Sequence, residues 1–431
     1  MDHERHSLLH VAGINGNLPA ARQLLDLGAN PDIRGGGLGS ALQAAAKNGS
    51  EVIVRLLLDR GADINGLDGY LGNALQAAVI QGNEAIIRLL LDRGTDINAQ
   101  GGHYGNTLPA AAVRGDKAIV RLLLDRGADI NGQGGEYGNA LQAAAVGGNE
   151  VIVRLLVDRG ADINAQGGHY GNALQAAADH GNEVNVRLLL DRGADINAQG
   201  GEYGNATQAA AVGGNEVNVR LLLDRGADIN AQGGKYGNAL PAAATKGNRA
   251  TVRLLLDRGA DINAQGGEYG NALQEAAAKG NEVNVRLLLD RGAGINAQGG
   301  YSGNALRAAA VWSHEATVRL LLDRGADINS QGGGCYGNAL QAAAFRGNEV
   351  NVRLLLDRGA DINALGGYYL NALRATAARG NEAIARLMLD RGADINAQGG
   401  YSGNALRAAT AEDSEVITRL PLDRGATIGS P

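Results

Sequence analysis

Groups that could do chemistry are few in this chain. Its seven histidines are His3, His6, His10, His103, His169, His180 and His314, and its single cysteine is Cys335. A metal ion needs three or four such ligands converging on one point. His103 and His169 occupy equivalent positions two repeat units apart, so roughly 16–20 Å separates them at 8–10 Å per packed helix layer. They read as solvated loop histidines. His3 and His6 could hold a metal only weakly, and Cys335, in a loop with one inserted residue, reads as a spare loop residue. No hydroxyl or thiol stands with a base beside it for nucleophilic catalysis. The Asp and Glu residues recur periodically instead of forming a lone pair in a cleft. The sequons at Asn48-Gly49-Ser50 and Asn205-Ala206-Thr207 carry no weight without a secretion signal. No Gly-x-x-x-x-Gly-Lys-Ser/Thr phosphate loop occurs. The expectation is no enzyme activity, no metal and no cofactor.

Bulk properties narrow the class further. The net charge of −6 over 431 residues, with no long run of one sign, argues against nucleic acid as partner. One cysteine excludes an intramolecular disulfide framework. No apolar run is long enough for a membrane span, and the opening MDHERHSLLHVAG has no signal-peptide core. A monomeric protein of the cytoplasm, or of the nucleus, is expected.

The dominant feature is a period. The phrase GADIN, or a variant, recurs with its glycine at positions from Gly28 to Gly425, always 33 residues apart except for a step of 34 between Gly325 and Gly359. Thirteen units result, at about 4-36, 37-69, 70-102, 103-135, 136-168, 169-201, 202-234, 235-267, 268-300, 301-333, 334-367, 368-400 and 401-431, in one array over 1-431. Within a unit, Asn139 starts a short helix and Gln142 is placed to reach back to it, as in a capping box. Ala143 to Ala145 continue that helix, and Gly147 and Gly148 stop it. Asn149 caps a second helix whose apolar stripe is Ile152, Val153, Leu155, Leu156 and Val157. On its wet face Glu150, Arg154 and Asp158 are spaced to pair. Helices this short are unstable alone, so neighbouring units must cover their apolar faces.

Ser7-Leu8-Leu9-His10, the repeated LLLDRGADIN and the 33-residue period resemble the ankyrin-repeat family over essentially the whole chain. The resemblance implies an all-α ankyrin-repeat solenoid of 13 helix-turn-helix units with short β-hairpin-like fingers. It implies a non-enzymatic protein-protein interaction scaffold with a curved recognition surface. The Asn-Ala-Leu-Gln start and the Gly-Gly-X-Tyr finger further resemble arrays of filamentous fungi, often the tails of NACHT-type sensors. The alternative function is therefore a ligand-sensing tail encoded apart from its nucleotide-binding half.

Differences between units locate candidate sites. The finger-tip position varies most: His103, Glu136, His169, Glu202, Lys235 and Glu268, then Tyr301, Cys335, Tyr368 and Tyr401. Recognition and neutral drift both account for this variation. The Tyr that follows in most units reads as packing of one finger on the next. Towards the C-terminus, Trp312 and Phe345 end successive first helices, with Arg346 and Arg379 at or one unit beyond them. With Tyr301, Tyr368, Tyr369 and Tyr401 these form the candidate protein-binding patch, since aromatics and Arg dominate binding hot spots. The other reading of Trp312 is a plug over Ser313, which stands where a glycine is usual. Arg307, Arg374 and Arg407 replace the capping Gln and put positive charge at a positive helix end, a cost that an acidic partner would offset. A partner with an acidic or aromatic-containing segment is expected. Inside the second-helix stripe, Asn185, Asn218, Thr251, Asn284, Thr317 and Asn351 replace the Ile of other units. Asn185 and Asn218 are expected to hydrogen-bond along the stack. Pro421 should fray the last unit.

Overall fold

Two short helices and a turn build each repeat. The computed structural model describes residues 8–34, 39–332 and 336–397. Tyr401, Arg407, Pro421, Cys335, His3 and His6 lie outside the described residues. Among the described residues 24 helices follow one another in pairs. Fourteen belong to a compact N-terminal half, Met1–Ala227, and ten to a C-terminal half, Asp228–Pro431. No helix among the described residues is long and apolar enough to cross a membrane.

The capping box closes as expected in the helix Ala140–Val146. Asn139 Oδ1 accepts the Gln142 N–H at 2.9 Å, and Gln142 Oε1 accepts the Asn139 N–H at 2.9 Å. The other end of the same side chain leaves the repeat. Gln142 Nε2 donates to Ala165 O at 3.2 Å, Gly167 O at 3.2 Å and Gly171 O at 2.8 Å, all in the next finger. Gln43, Gln175, Gln274 and Gln341 make the same outward bonds. Where Pro109 occupies the position, no N–H is present to be capped. Asn106 then accepts from Leu108 at 3.2 Å, and its own amide reaches the next finger at Gly132 O, 3.3 Å away.

Most fingers are turns closed by a single antiparallel bridge, such as Gly134↔Gly138 or Gly266↔Gly270. Gly168, at φ +61°, shows why the finger is glycine-rich: a Cβ there would collide with the backbone of Tyr137 and Gly138 in the preceding finger. The GADIN phrase is equally structural. Asp129 Oδ1 accepts the Asn131 N–H at 3.0 Å, and Asn131 Oδ1 accepts the Asp162 N–H of the next repeat at 2.8 Å.

Asn149 caps the second helix through Ile152 N–H at 3.1 Å and reaches back to Gly115 O of the previous repeat at 3.2 Å. Ile152, Val153 and Leu156 are buried, each contributing roughly 1.5–3 kcal/mol by leaving water. The wet face differs from expectation at one residue. Arg154 pairs with Glu150 at 2.7 Å, whereas Asp158 pairs with Arg192 of the next repeat at 2.6 Å. Arg159 reaches back to Asp125 at 3.1 Å. This repeat is thus tied to both neighbours by exposed pairs, each worth about 0–1 kcal/mol.

The expected bonding of Asn185 and Asn218 along the stack largely fails. Asn185 is buried with neither amide atom hydrogen-bonded in the protein. Asn218 Nδ2 donates to Ala178 O at 3.3 Å, but its Oδ1 has no partner. Asn284 and Asn351 are buried and wholly unpartnered, as are the hydroxyls of Thr251 and Thr317. The stripe turns these side chains into surroundings built for Ile, where carbonyls are already engaged in helices. Each unmet group costs about 1–3 kcal/mol. Asn284→Ile should therefore stabilise the protein by about 1–3 kcal/mol, read as a higher urea midpoint. A lower midpoint would show that the amide is better accommodated than its surroundings indicate.

Candidate functional site

Finger tips form a backbone ladder in the N-terminal half. The His103 N–H donates to Tyr70 O at 2.9 Å, Glu136 to His103 O at 3.0 Å, His169 to Glu136 O at 2.8 Å and Glu202 to His169 O at 3.0 Å. In the C-terminal half Tyr301 donates to Glu268 O at 2.9 Å. The most variable position in the repeat therefore does its structural work with backbone atoms, which any residue supplies. Its side chains pair with one another. His103 Nε2 lies 3.0 Å from Glu136 and His169 Nδ1 lies 3.4 Å from Glu202. His103 also stacks on Tyr70 at 4.7 Å. Neither is a simple solvated histidine, because the ladder sets successive tips side by side. Lys235 stands 5.9 Å from the Tyr236 ring.

The tyrosines behind the tips pack as expected, Tyr104 on Tyr137 at 5.8 Å and Tyr170 on Tyr203 at 6.4 Å. Burial, helped by the field of Asp179, pushes the Tyr170 phenol up to about 12. Burial raises Tyr104 and Tyr137 as well.

The aromatic and arginine residues of the C-terminal half do come together. Arg379 lies over the Phe345 ring at 4.2 Å, and Arg346 over Trp312 at 5.1 Å. Phe345 contacts Tyr336 and Tyr369, each at 5.3 Å; Tyr369 contacts Tyr368 at 5.0 Å, and Tyr336 contacts Tyr301 at 6.2 Å. Tyr336 joins the patch although its regular register marks it as a packing residue. An open hollow of about 390 Å³ is lined by Phe345, Arg346, Gly347, Arg379 and Asn381. Trp312 remains 43% exposed. Ser313 takes φ +65°, a region that costs an L-residue roughly 1–2 kcal/mol. His314 replaces the usual cap Asn without capping the helix, and its Nε2 lies 3.0 Å from Ala278 O.

Arg307 and Arg374 do not belong to this surface. Both are buried, at 0% and 1% exposure. Arg307 does the outward job of the Gln it replaces, donating to Ser302 O and, at 2.7 Å, to Gly337 O in the next finger. Backbone carbonyls, not an acidic partner, offset its charge. Burial lowers the Arg374 pKa. One buried ionisable group escapes the sequence reading. Glu275 replaces an Ala of the first helix and is 1% exposed. Its Oε2 accepts from Thr245 Oγ1 at 2.9 Å, and its Oε1 from the Tyr269 N–H at 3.2 Å. A lone Glu in an otherwise apolar helix start was the available signal. Among the described residues no three His, Cys, Asp or Glu side chains are grouped to hold a metal ion.

Paired helices in strict register define a helical-repeat protein. The family model for ankyrin repeats (3 copies) matches residues 3–101, 108–200, 199–266 and 243–332, and that for a single ankyrin repeat matches 338–366. The chain belongs to the ankyrin-repeat family. Ankyrin repeats in general bind protein partners and are typically non-enzymatic. Among solved structures, the human ASB11 ankyrin repeat domain is similar at 27% identity, covering 51% of this chain and 98% of that one, with a TM-score of 0.44. No curated protein matches. None of these matches supports the finer likeness to fungal sensor arrays.

Glu275 yields a pH prediction. Burial raises its carboxyl above the usual carboxylate range, more than its two hydrogen bonds lower it. The folded state thus holds the proton more tightly than the unfolded one. Its stabilising contribution is complete below the ordinary Glu pKa and is lost as pH rises through the raised value. Glu275→Gln should raise the thermal midpoint at pH 7 and leave it nearly unchanged at pH 4. An equal loss at both values would mean that the carboxylate is accommodated in its charged form.

Proposed function

We propose that the protein is a non-enzymatic interaction scaffold that takes an acidic or aromatic-containing segment of a partner protein on its C-terminal half. The observation that carries this reading is the pair of guanidiniums held over rings, Arg346 over Trp312 and Arg379 over Phe345. A guanidinium stacked by its face keeps its in-plane N–H donors for a carboxylate. Its order is fixed before binding, which lowers the entropic cost of association. Tyr301 and Tyr368, 53% and 55% exposed, extend the apolar area around the pair. Tyr369 is half-buried beneath them, and Tyr401 continues the same finger-tip register. The finger tips His103, Glu136, His169, Glu202, Lys235 and Glu268 are a secondary surface, because those with resolved ion pairs already engage each other. The same reading has the chain act as a monomer in the cytoplasm or nucleus.

The test is capture of partners from source cells by the wild-type chain and by a Trp312→Ala/Phe345→Ala/Arg346→Ala variant of matched circular dichroism. A partner held by the first should be lost by the second, with an affinity drop of at least about a hundredfold for hot-spot residues. Equal capture would remove the patch from the function and move the search to the finger tips.

A further inference from the structure

The patch is the middle of a longer feature. The position at the end of the first helix that holds Trp312 is Lys246 and Lys279 in the two preceding repeats, and Arg346 and Arg379 in the two following ones. All five side chains are exposed and lie in the C-terminal half. The corresponding column of the N-terminal half reads Asn15, Asn48, Gln81, Arg114, Gly147, His180 and Gly213, with one fixed cation, and Arg114 donates to Ile80 O.

What distinguishes the four cations is that no carboxylate of the repeat neutralises them: Lys279 lies over the Tyr269 ring at 5.5 Å, and Arg346 and Arg379 over Trp312 and Phe345. The standard arginines are engaged: Arg353 with Glu349 at 2.5 Å, Arg358 with Asp323 at 2.7 Å, Arg386 with Glu382, and Arg391 with Asp357 at 2.8 Å. Lys246, Lys279, Arg346 and Arg379 form no ion pair with a described residue. The carboxylate that acts on Lys279, Glu275, is buried with both oxygens bonded elsewhere. Beside Lys246, Arg249 replaces the Glu that opens most second helices and adds positive charge.

Register then sets the shape of the ligand. Stacked helices are about 8–10 Å apart, so one cation, or the indole, recurs at about that interval. A β-strand turns successive side chains to opposite faces, so it cannot present every third residue to one surface. A polyproline-II segment has three residues per turn and rises about 3.1 Å per residue, or about 9 Å per turn. Every third side chain points the same way at nearly the repeat spacing.

We propose that Lys246, Lys279, Trp312, Arg346 and Arg379 form a rail that reads an extended, polyproline-II-like acidic protein segment, with a carboxylate at every third residue and an apolar residue at the position facing Trp312. The proposal rests on the interaction function proposed above and adds the conformation and spacing of what is bound. Charge complementarity selects the carboxylates. The hollow between Arg346 and Arg379 gives one of them a site flanked by two guanidiniums.

Titration calorimetry of the full chain tests it with synthetic peptides. The first carries Glu at every third position, Phe at the central one of these, and Pro-rich spacers. The second has the same composition with Glu moved to alternate positions. The first should bind at least about tenfold tighter, as expected when correctly spaced charge pairs add. Lys246→Ala and Lys279→Ala, which lie outside the aromatic patch, should each reduce its binding several-fold without changing the urea midpoint. Equal binding of the two peptides would show a diffuse field and overturn the rail. So would indifference to the lysine variants, or equal binding of a single-stranded oligonucleotide of the same charge. If neither peptide binds while the captured partner still depends on Trp312 and Arg346, the rail fails and the interaction patch stands.

Discussion

In most repeats one side-chain amide ties the start of the first helix to the next finger. Gln142 accepts the N–H that opens its own helix and donates to three carbonyls of the next finger. A primary amide can do this because it offers an acceptor and two donors at the end of one short stem. The helix start and the following finger cannot then shift separately without leaving buried polar groups unmet. Any change in length between Gln142 and Gly171 would break one end of the link, although the repeats with Pro109 and Pro241 keep the same period without it. The insertion near position 334 shows how far this can stretch: Arg307, with a longer reach, replaces Gln there and donates to Gly337 O at 2.7 Å. Arg has no acceptor, so the inward half of the link is given up in that repeat.

The same division of labour explains where variation is tolerated. At the finger tip the structural bonds run from backbone to backbone, and the side chain is left to other uses. In the N-terminal half those uses are mutual, His103 with Glu136 and His169 with Glu202. In the C-terminal half Tyr301 and Tyr368 follow Lys235 and Glu268 at the tips, and arginines lie over Trp312 and Phe345 at the ends of the first helices. Charges that belong to the repeat are neutralised within it, by Glu four residues earlier or by Asp of the previous repeat. Lys246, Lys279, Arg346 and Arg379 stand outside that scheme.

Much of this was legible in the sequence because it is local. A cap and its reciprocal Gln are three residues apart, and a helix stripe repeats within one turn, so spacing alone reveals them. Links between repeats were harder to read. Asp158 has Arg154 within its own helix and Arg192 in the next repeat, and only packing decides for the second. Burial was least legible. Arg307 and Trp312 are five residues apart and both break the repeat's pattern, yet one is buried and the other is 43% exposed. The difference lies in which side of the first helix faces the next finger. The polar residues in the stripe were visible, but their lack of partners depends on carbonyls already engaged in helices, which periodicity does not report.

Departures from the repeat are concentrated around Trp312. Within units 301-333, Arg307 replaces the reciprocal capping Gln, Ser313 holds a left-handed conformation suited to glycine, and His314 leaves the second helix without its side-chain cap. Each removes a local stabilising feature that neighbouring repeats keep. The lost cap costs about 1 kcal/mol, and the Ser conformation roughly 1–2 kcal/mol. Trp312, 43% exposed, leaves a large part of the indole in solvent. Stacking beneath Arg346 offsets part of these costs, about 0.5–1 kcal/mol at an exposed site. A repeat shaped by packing alone would resemble its neighbours. Local rules broken together around one exposed aromatic, with an arginine held over it, are the reason the proposed binding surface is placed here.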